Sequence, residues 1–209
     1  MRHLAYKKIG KGFPIVLIHG YLGGPLMWHF QIEELQKNYE VITPCLAGYA
    51  ESASLKAPNS INENAELVLE LLNFLQIDNL YLLGHSMGGK TAYIYASEHP
   101  LTTKGLVIVD TGPESDTEGI RRIRNFMSQP DEFNSFEEFA THVQSYTGRP
   151  LHMVKGSLRH SVRQTRSGTW TWKYDKLIRS PNFNSKNWPS HRLWKTLLKI
   201  TCPTLVIRG

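Results

Sequence analysis

The chain has 209 residues, 41% of them apolar, 20% charged and 11% aromatic, with a formal net charge of +6. That length supports one domain, or one domain with an inserted lid, and the composition excludes a disordered or fibrous chain. No apolar run approaches the ~20 residues of a membrane span, and the start, Met1–Lys8, lacks the apolar segment of a secretory signal. Cys45 and Cys202 are too far apart in sequence to suggest a disulfide framework or a zinc site. A cytoplasmic protein with no membrane span, no metal and no cofactor is expected.

The charge is unevenly placed. Residues 113–199 carry 15 Lys/Arg against 8 Asp/Glu, and within 141–199 twelve basic residues face one acid, Asp175. Such a block can attract nucleic acid, an anionic surface or an acidic substrate, or it can simply be a solvated basic face. No nucleic-acid-binding motif accompanies it. The expected partner is therefore a small-molecule substrate, anionic if the basic block has a function, with no nucleic acid.

Five apolar runs punctuate the chain: Pro14–Ile18, Tyr39–Thr43, Asn79–Leu83, Gly105–Val109 and Pro203–Ile207. They are nearly continuous rather than alternating, as in parallel strands covered on both faces. Helical patterns fill the gaps. Met27–Lys37 is a weak helix. Ser60-x-x-Glu63 reads as a capping box ahead of Leu67, Leu71, Phe74 and Leu75, and a helix from about Gly88 to Glu98 stops at His99-Pro100. Strand and helix alternate, which predicts an α/β fold with a doubly wound, mostly parallel sheet.

After Asp110 the alternation stops for about ninety residues. Helix-like pieces occur at Ile120–Met127, Phe136–Tyr146 and Val154–Arg163, but no core strand. The expected organisation is a core over 1–112, an inserted helical lid over 113–199 and a resumed core strand over 200–209.

Gly84-His85-Ser86-Met87-Gly88 lies directly between a buried strand and a helix, the setting of a nucleophile elbow. Glycines flank the tight turn, and Ser86 is held at its tip. The N–H of Met87, at a helix N-terminus, can stabilise a developing oxyanion. The glycine-rich turn His19-Gly20-Tyr21-Leu22-Gly23-Gly24 follows the earlier strand, so Tyr21 or Leu22 would supply the second donor.

On these residues, with Gly48-Tyr49-Ala50-Glu51-Ser52 and Pro203–Gly209 in the same order, the chain resembles the α/β-hydrolase superfamily, in its lidded esterase, epoxide-hydrolase and carbon–carbon-hydrolase branch. Gly168–Asp175 resembles a lid signature of one subgroup. The resemblance implies hydrolysis of a carboxylic ester through an acyl-enzyme on Ser86. Carbon–carbon hydrolysis and a non-catalytic, receptor-like role are the alternatives. Candidate pocket residues are Leu22, Trp28, Trp170 and Trp172, with Trp188 and Trp194 in the same lid.

Two departures from the family pattern stand out. Cys45-Leu46-Ala47 occupies the place of the family's Asp-x-Pro, where altered loop packing is expected and Cys45 reads as a buried small hydrophobe. Triad order in this fold is Ser, then acid, then His, and the family's histidine follows a strand beyond Ile207. None of the nine histidines suits that role, and the resemblance implies a chain lacking its last strand and helix. Asp110, 24 residues after Ser86, is either the acid or a turn former.

Overall fold

The computed structural model describes residues 3–53, 55, 56, 58, 60–180 and 189–208. Trp188 lies outside them.

The chain opens with β1 (Tyr6–Ile9) and β2 (Phe13–Ile18), followed by a short 3-10 turn at Pro25–Trp28 that leads into α1 (His29–Leu35). Then come β3 (Tyr39–Pro44), α2 (Ile61–Phe74), β4 (Leu80–His85), α3 (Met87–Glu98) and β5 (Thr103–Val109). The capping box forms: Ser60 Oγ accepts the Glu63 N–H at 3.3 Å and lies 3.3 Å from the Glu63 carboxylate.

The segment between β5 and the last strand, expected from the sequence to form a lid, contains α4 (Thr117–Met127), β6 (Glu132–Phe133), α5 (Phe136–Thr147), α6 (Leu151–Ser161), β7 (Val162–Gln164), β8 (Trp170–Trp172) and α7 (Ser190–Leu197). It is therefore not purely helical. Its three short strands form a separate antiparallel sheet in the order β6-β8-β7. The last strand, β9 (Thr204–Ile207), returns to the main sheet.

The main sheet has the order β1-β3-β2-β4-β5-β9, parallel throughout except for β1, which pairs antiparallel with β3. The sequence pattern did not announce β1. Its residues, Tyr6-Lys7-Lys8-Ile9, are mostly exposed, and lysines on an edge strand discourage pairing with another chain.

Alternate strand residues feed two cores, as a pleated sheet requires. Val16, Ile18, Ile42, Leu82, Leu106 and Ile108 face α2 and α3. Ile15, Leu17 and Val41 face the other way, against Trp28 and α1. With helices on both faces, the sheet is doubly wound. Beside α1 that second face also carries an apolar groove of about 340 Å³ between Tyr81, Leu83, Val107 and Leu205.

The lid core is continuous with the first of these clusters. Phe126, Phe139, Leu158, Trp172 and Ile178 are buried together with core residues, and α7 packs against α3. Arg179 ties the lid internally: it donates to Tyr174 Oη at 3.0 Å and to the carbonyls of Phe126 and Gln129, and lies 3.9 Å from Asp131. The basic block is largely solvated. Arg149, Arg159, Arg163 and Arg166 are exposed, while Lys155 pairs with Glu137.

Candidate active site

Ser86 sits between β4 and α3 with φ 51° and ψ −116°, a strained conformation for a residue with a side chain. Its backbone N–H donates to the Val109 carbonyl at 2.8 Å, and its carbonyl accepts the Lys90 N–H at 3.0 Å. Strand and helix thus clamp the turn from both ends. The flanking glycines have no substitute. A Cβ on Gly84 would strike the Gly88 carbonyl, and one on Gly88 would strike the carbonyls of Ile18 and His19. Ser86 is half-buried, and Met87 follows it as the first residue of α3.

Asp110 ends β5 on the neighbouring strand, also with a positive φ of 51°. Its N–H donates to the Ile207 carbonyl at 2.8 Å, its side chain is exposed, and among the described residues its carboxylate accepts no hydrogen bond from the turn that follows. The sequence offered it as a turn former, and that side-chain cap is not made. Ser86 and Asp110 lie at the carboxyl ends of adjacent parallel strands, where open α/β sheets bind their ligands.

His85, the residue before Ser86, feels the charge of Asp110. Burial pulls its pKa down, the charge of Asp110 opposes this, and its buried Nδ1 has no hydrogen-bond partner among the described residues.

The turn after β2 is braced by His19, which is fully buried. Its Nε2 accepts the Leu46 N–H at 3.0 Å, which places the proton on Nδ1, 2.9 Å from the Gly20 carbonyl. Burial pushes its pKa down to about 4, so it is a neutral brace. Sequence reasoning assigned His19 only to a turn; its position beside glycine at a strand end was the available signal. Cys45 takes part in the same packing: burial pushes its thiol up to about 11, and its Sγ lies 3.1 Å from the Tyr49 carbonyl.

Tyr21 and Leu22 follow Gly20. Tyr21 Oη donates to the Ile178 carbonyl at 2.6 Å, and burial pushes the phenol up to about 12. Leu22, with φ 59°, packs partly buried against the main core.

The expected aromatic pocket is not assembled as the sequence suggested. Trp28 is buried beneath α1 with Ile15, Leu17 and Val41, because the 3-10 turn at Pro25–Trp28 carries it to the opposite face of the sheet. Trp172 lies in the lid's own core, edge-on to Phe139 at 4.9 Å and stacked on Tyr174 at 5.4 Å. Trp170 packs edge-on against Phe136 at 5.3 Å. Trp194 donates Nε1–H to Glu114 at 2.9 Å, fastening α7 to the loop after β5. Among the described residues no group of three or more His, Cys, Asp or Glu could hold a metal ion, and no helix is long and apolar enough to cross a membrane.

An elbow serine at the carboxyl edge of such a sheet defines a hydrolase-type architecture. The family model for the alpha/beta hydrolase fold matches residues 14–194, and the chain belongs to that family. An uncharacterised protein of Mycobacterium tuberculosis is 32% identical over 108 residues, which are 52% of this chain and 32% of that protein. The match therefore spans about a third of that relative's length. A Bacillus subtilis protein, provisionally named 2-succinyl-6-hydroxy-2,4-cyclohexadiene-1-carboxylate synthase, is 27% identical over 93% of this chain and 72% of its own. Among solved structures, a marine microorganism esterase superposes with a TM-score of 0.78 at 21% identity, covering 99% of this chain and 91% of that one. At that identity the likeness is one of fold.

Proposed function

We propose that this protein is a serine hydrolase of carboxylic esters that works through an acyl-enzyme on Ser86. The backbone of Ser86, held in a strained elbow at the tip of β4, carries the reading. Ser86 Oγ would bond to the ester carbonyl carbon while the carbonyl π electrons move to oxygen. The N–H groups of Met87, at the start of α3, and of Tyr21, on the braced turn, would hold that oxyanion. Its collapse breaks the bond to the alcohol, and water then releases the acid. Asp110, on the adjacent strand end, would act as the acid of the site. The neighbouring esterase fold and the hydrolase family support this reading.

The Oγ proton must pass to a base, and none of the nine histidines makes a hydrogen bond to Ser86 among the described residues. A second reading is a pocket that binds its ligand without turnover. One experiment separates the two. The protein is treated with a fluorophosphonate probe, with and without added imidazole as an external base. Labelling that imidazole accelerates and Ser86→Ala abolishes supports the hydrolase. A label that survives Ser86→Ala, or no label in the wild type even with imidazole, favours binding alone.

A further inference from the structure

One turn of α3 beyond Ser86, about 5.4 Å along the helix axis, the Lys90 side chain enters a cavity of about 230 Å³ between α2, α3, α4 and α7. The apolar part of its wall comes from Ile94 of α3, Ile120 of α4 and Leu193 of α7. Four polar residues also line it: Lys90, Ser115, Asn62 and Ser190.

Lys90 donates to Ser115 Oγ at 2.7 Å, and among the described residues no carboxylate lies within salt-bridge distance of it. Burial pulls its pKa below the usual lysine range with no neighbouring acid to restore it. Asn62 Oδ1 is buried and has no hydrogen-bond partner among the described residues. A half-buried cation with no paired carboxylate among the described residues, beside an amide oxygen that lacks a partner there, carries a desolvation cost.

We propose that this cavity is a binding site for the carboxylate of a small apolar acid or of a substrate bearing one, held by Lys90 and Ser115. The anion supplies the charge that Lys90 lacks, and the apolar walls take the hydrocarbon part. Asn62 contributes Nδ2 when its amide turns by 180°, since the two orientations fill the same space. Pro113 and Ser115 belong to the loop that leaves Asp110, and Lys90 lies one helical turn from Ser86, so chain connectivity links the cavity to both strand ends. The inference deepens the hydrolase reading by giving its substrate an anionic end. Its test does not depend on turnover.

Benzoate and its neutral isostere benzamide are the probes, titrated into the protein and followed by methyl NMR at Ile94, Ile120 and Leu193. Benzoate is expected to shift these methyls saturably and to bind at least tenfold more tightly than benzamide. Lys90→Met should weaken benzoate about tenfold and Lys90→Arg should restore much of it. Ile120→Trp, from a position at the cavity rim, should block both probes, and it keeps the test open if Lys90→Met does not fold. Two results overturn the proposal. One is equal affinity of wild type and Lys90→Met for benzoate, which would place the anion on the basic lid. The other is the absence of any saturable shift in the cavity methyls. Ser86 labelling by a fluorophosphonate with no benzoate binding would reject the cavity and leave the hydrolase standing.

Discussion

Tyr21, in the turn after β2, donates its phenolic hydrogen to the carbonyl of Ile178, 157 residues further along the chain, at 2.6 Å. The bond joins the turn proposed to stabilise the oxyanion directly to the segment between β5 and β9, and the neighbouring Asp175 N–H to Gly48 carbonyl bond, at 2.6 Å, adds a second tie. Ile178 is fully buried, so its carbonyl has no ready access to replacement water. Tyr21→Phe should therefore cost about 1–3 kcal/mol, the penalty for a buried acceptor left unsatisfied. Urea unfolding measures that loss. Amide exchange should show it concentrated in residues 175–180 rather than in the main sheet.

Arg179 is the hub on the lid side of that tie. It satisfies Tyr174 Oη and two backbone carbonyls and lies near Asp131. Arg179→Met keeps much of the aliphatic stem and removes every donor. The expected cost is about 2 kcal/mol, in the range for hydrogen bonds to a charged group. Arg179→Lys should recover less than half, because one ammonium cannot span the same set of acceptors. Thermal unfolding of the three proteins checks the order wild type, then lysine, then methionine.

The strands that bury both faces were legible in the sequence, because Pro14–Ile18 or Gly105–Val109 need apolar residues at successive positions. The strands that are short or lie at an edge were not. Lys7 and Lys8 face solvent on β1, and β8 (Trp170–Trp172) is only three residues long, so neither leaves a run that periodicity can detect. Ser86 was legible because the turn geometry demands Gly84 and Gly88 on either side of it. Trp28 was misread as a pocket residue. Its nearness in sequence to the glycine-rich turn said nothing about the 3-10 turn that carries it to the far face. Lys90 gave no signal at all, since the cavity around it is assembled from α2, α4 and α7 at long range.

The strain at the elbow makes two opposed predictions. Ser86 holds φ 51° with a side chain present, at a cost of ~1 kcal/mol or more. Ser86→Gly should relieve it and raise the melting temperature by about 2–4 °C, while abolishing fluorophosphonate labelling. Gly88→Ala places a methyl against the carbonyls of Ile18 and His19. It should destabilise the protein by about 3 kcal/mol or more, since backbone on both sides must move. Calorimetry on the two variants checks both signs. A stable Gly88→Ala protein would show that β2 and α3 can separate more easily than their packing indicates.

His19 supplies the pH dependence. The imidazole titrates near 6.5 in an unfolded chain, and burial lowers it to about 4 in the fold. Between those values the unfolded state binds a proton that the folded state excludes, so stability falls as the pH is lowered through the window. The full contribution is present above about pH 6.5 and diminishes by at most about 1.4 kcal/mol per pH unit down to about pH 4. Carboxylates elsewhere also titrate in this range, so the informative quantity is a difference. His19→Asn removes the titrating group and should be less stable than wild type at pH 7.5, because the clamp between Leu46 and Gly20 is weakened. Its deficit should shrink as the pH approaches 4, since only the wild type is penalised for keeping an imidazole neutral. Urea midpoints for both proteins from pH 4 to 7.5 measure it. Parallel curves across that range would mean that His19 takes up its proton in the folded state at its ordinary pKa, and that the neutral brace described here does not hold the turn beside Ser86.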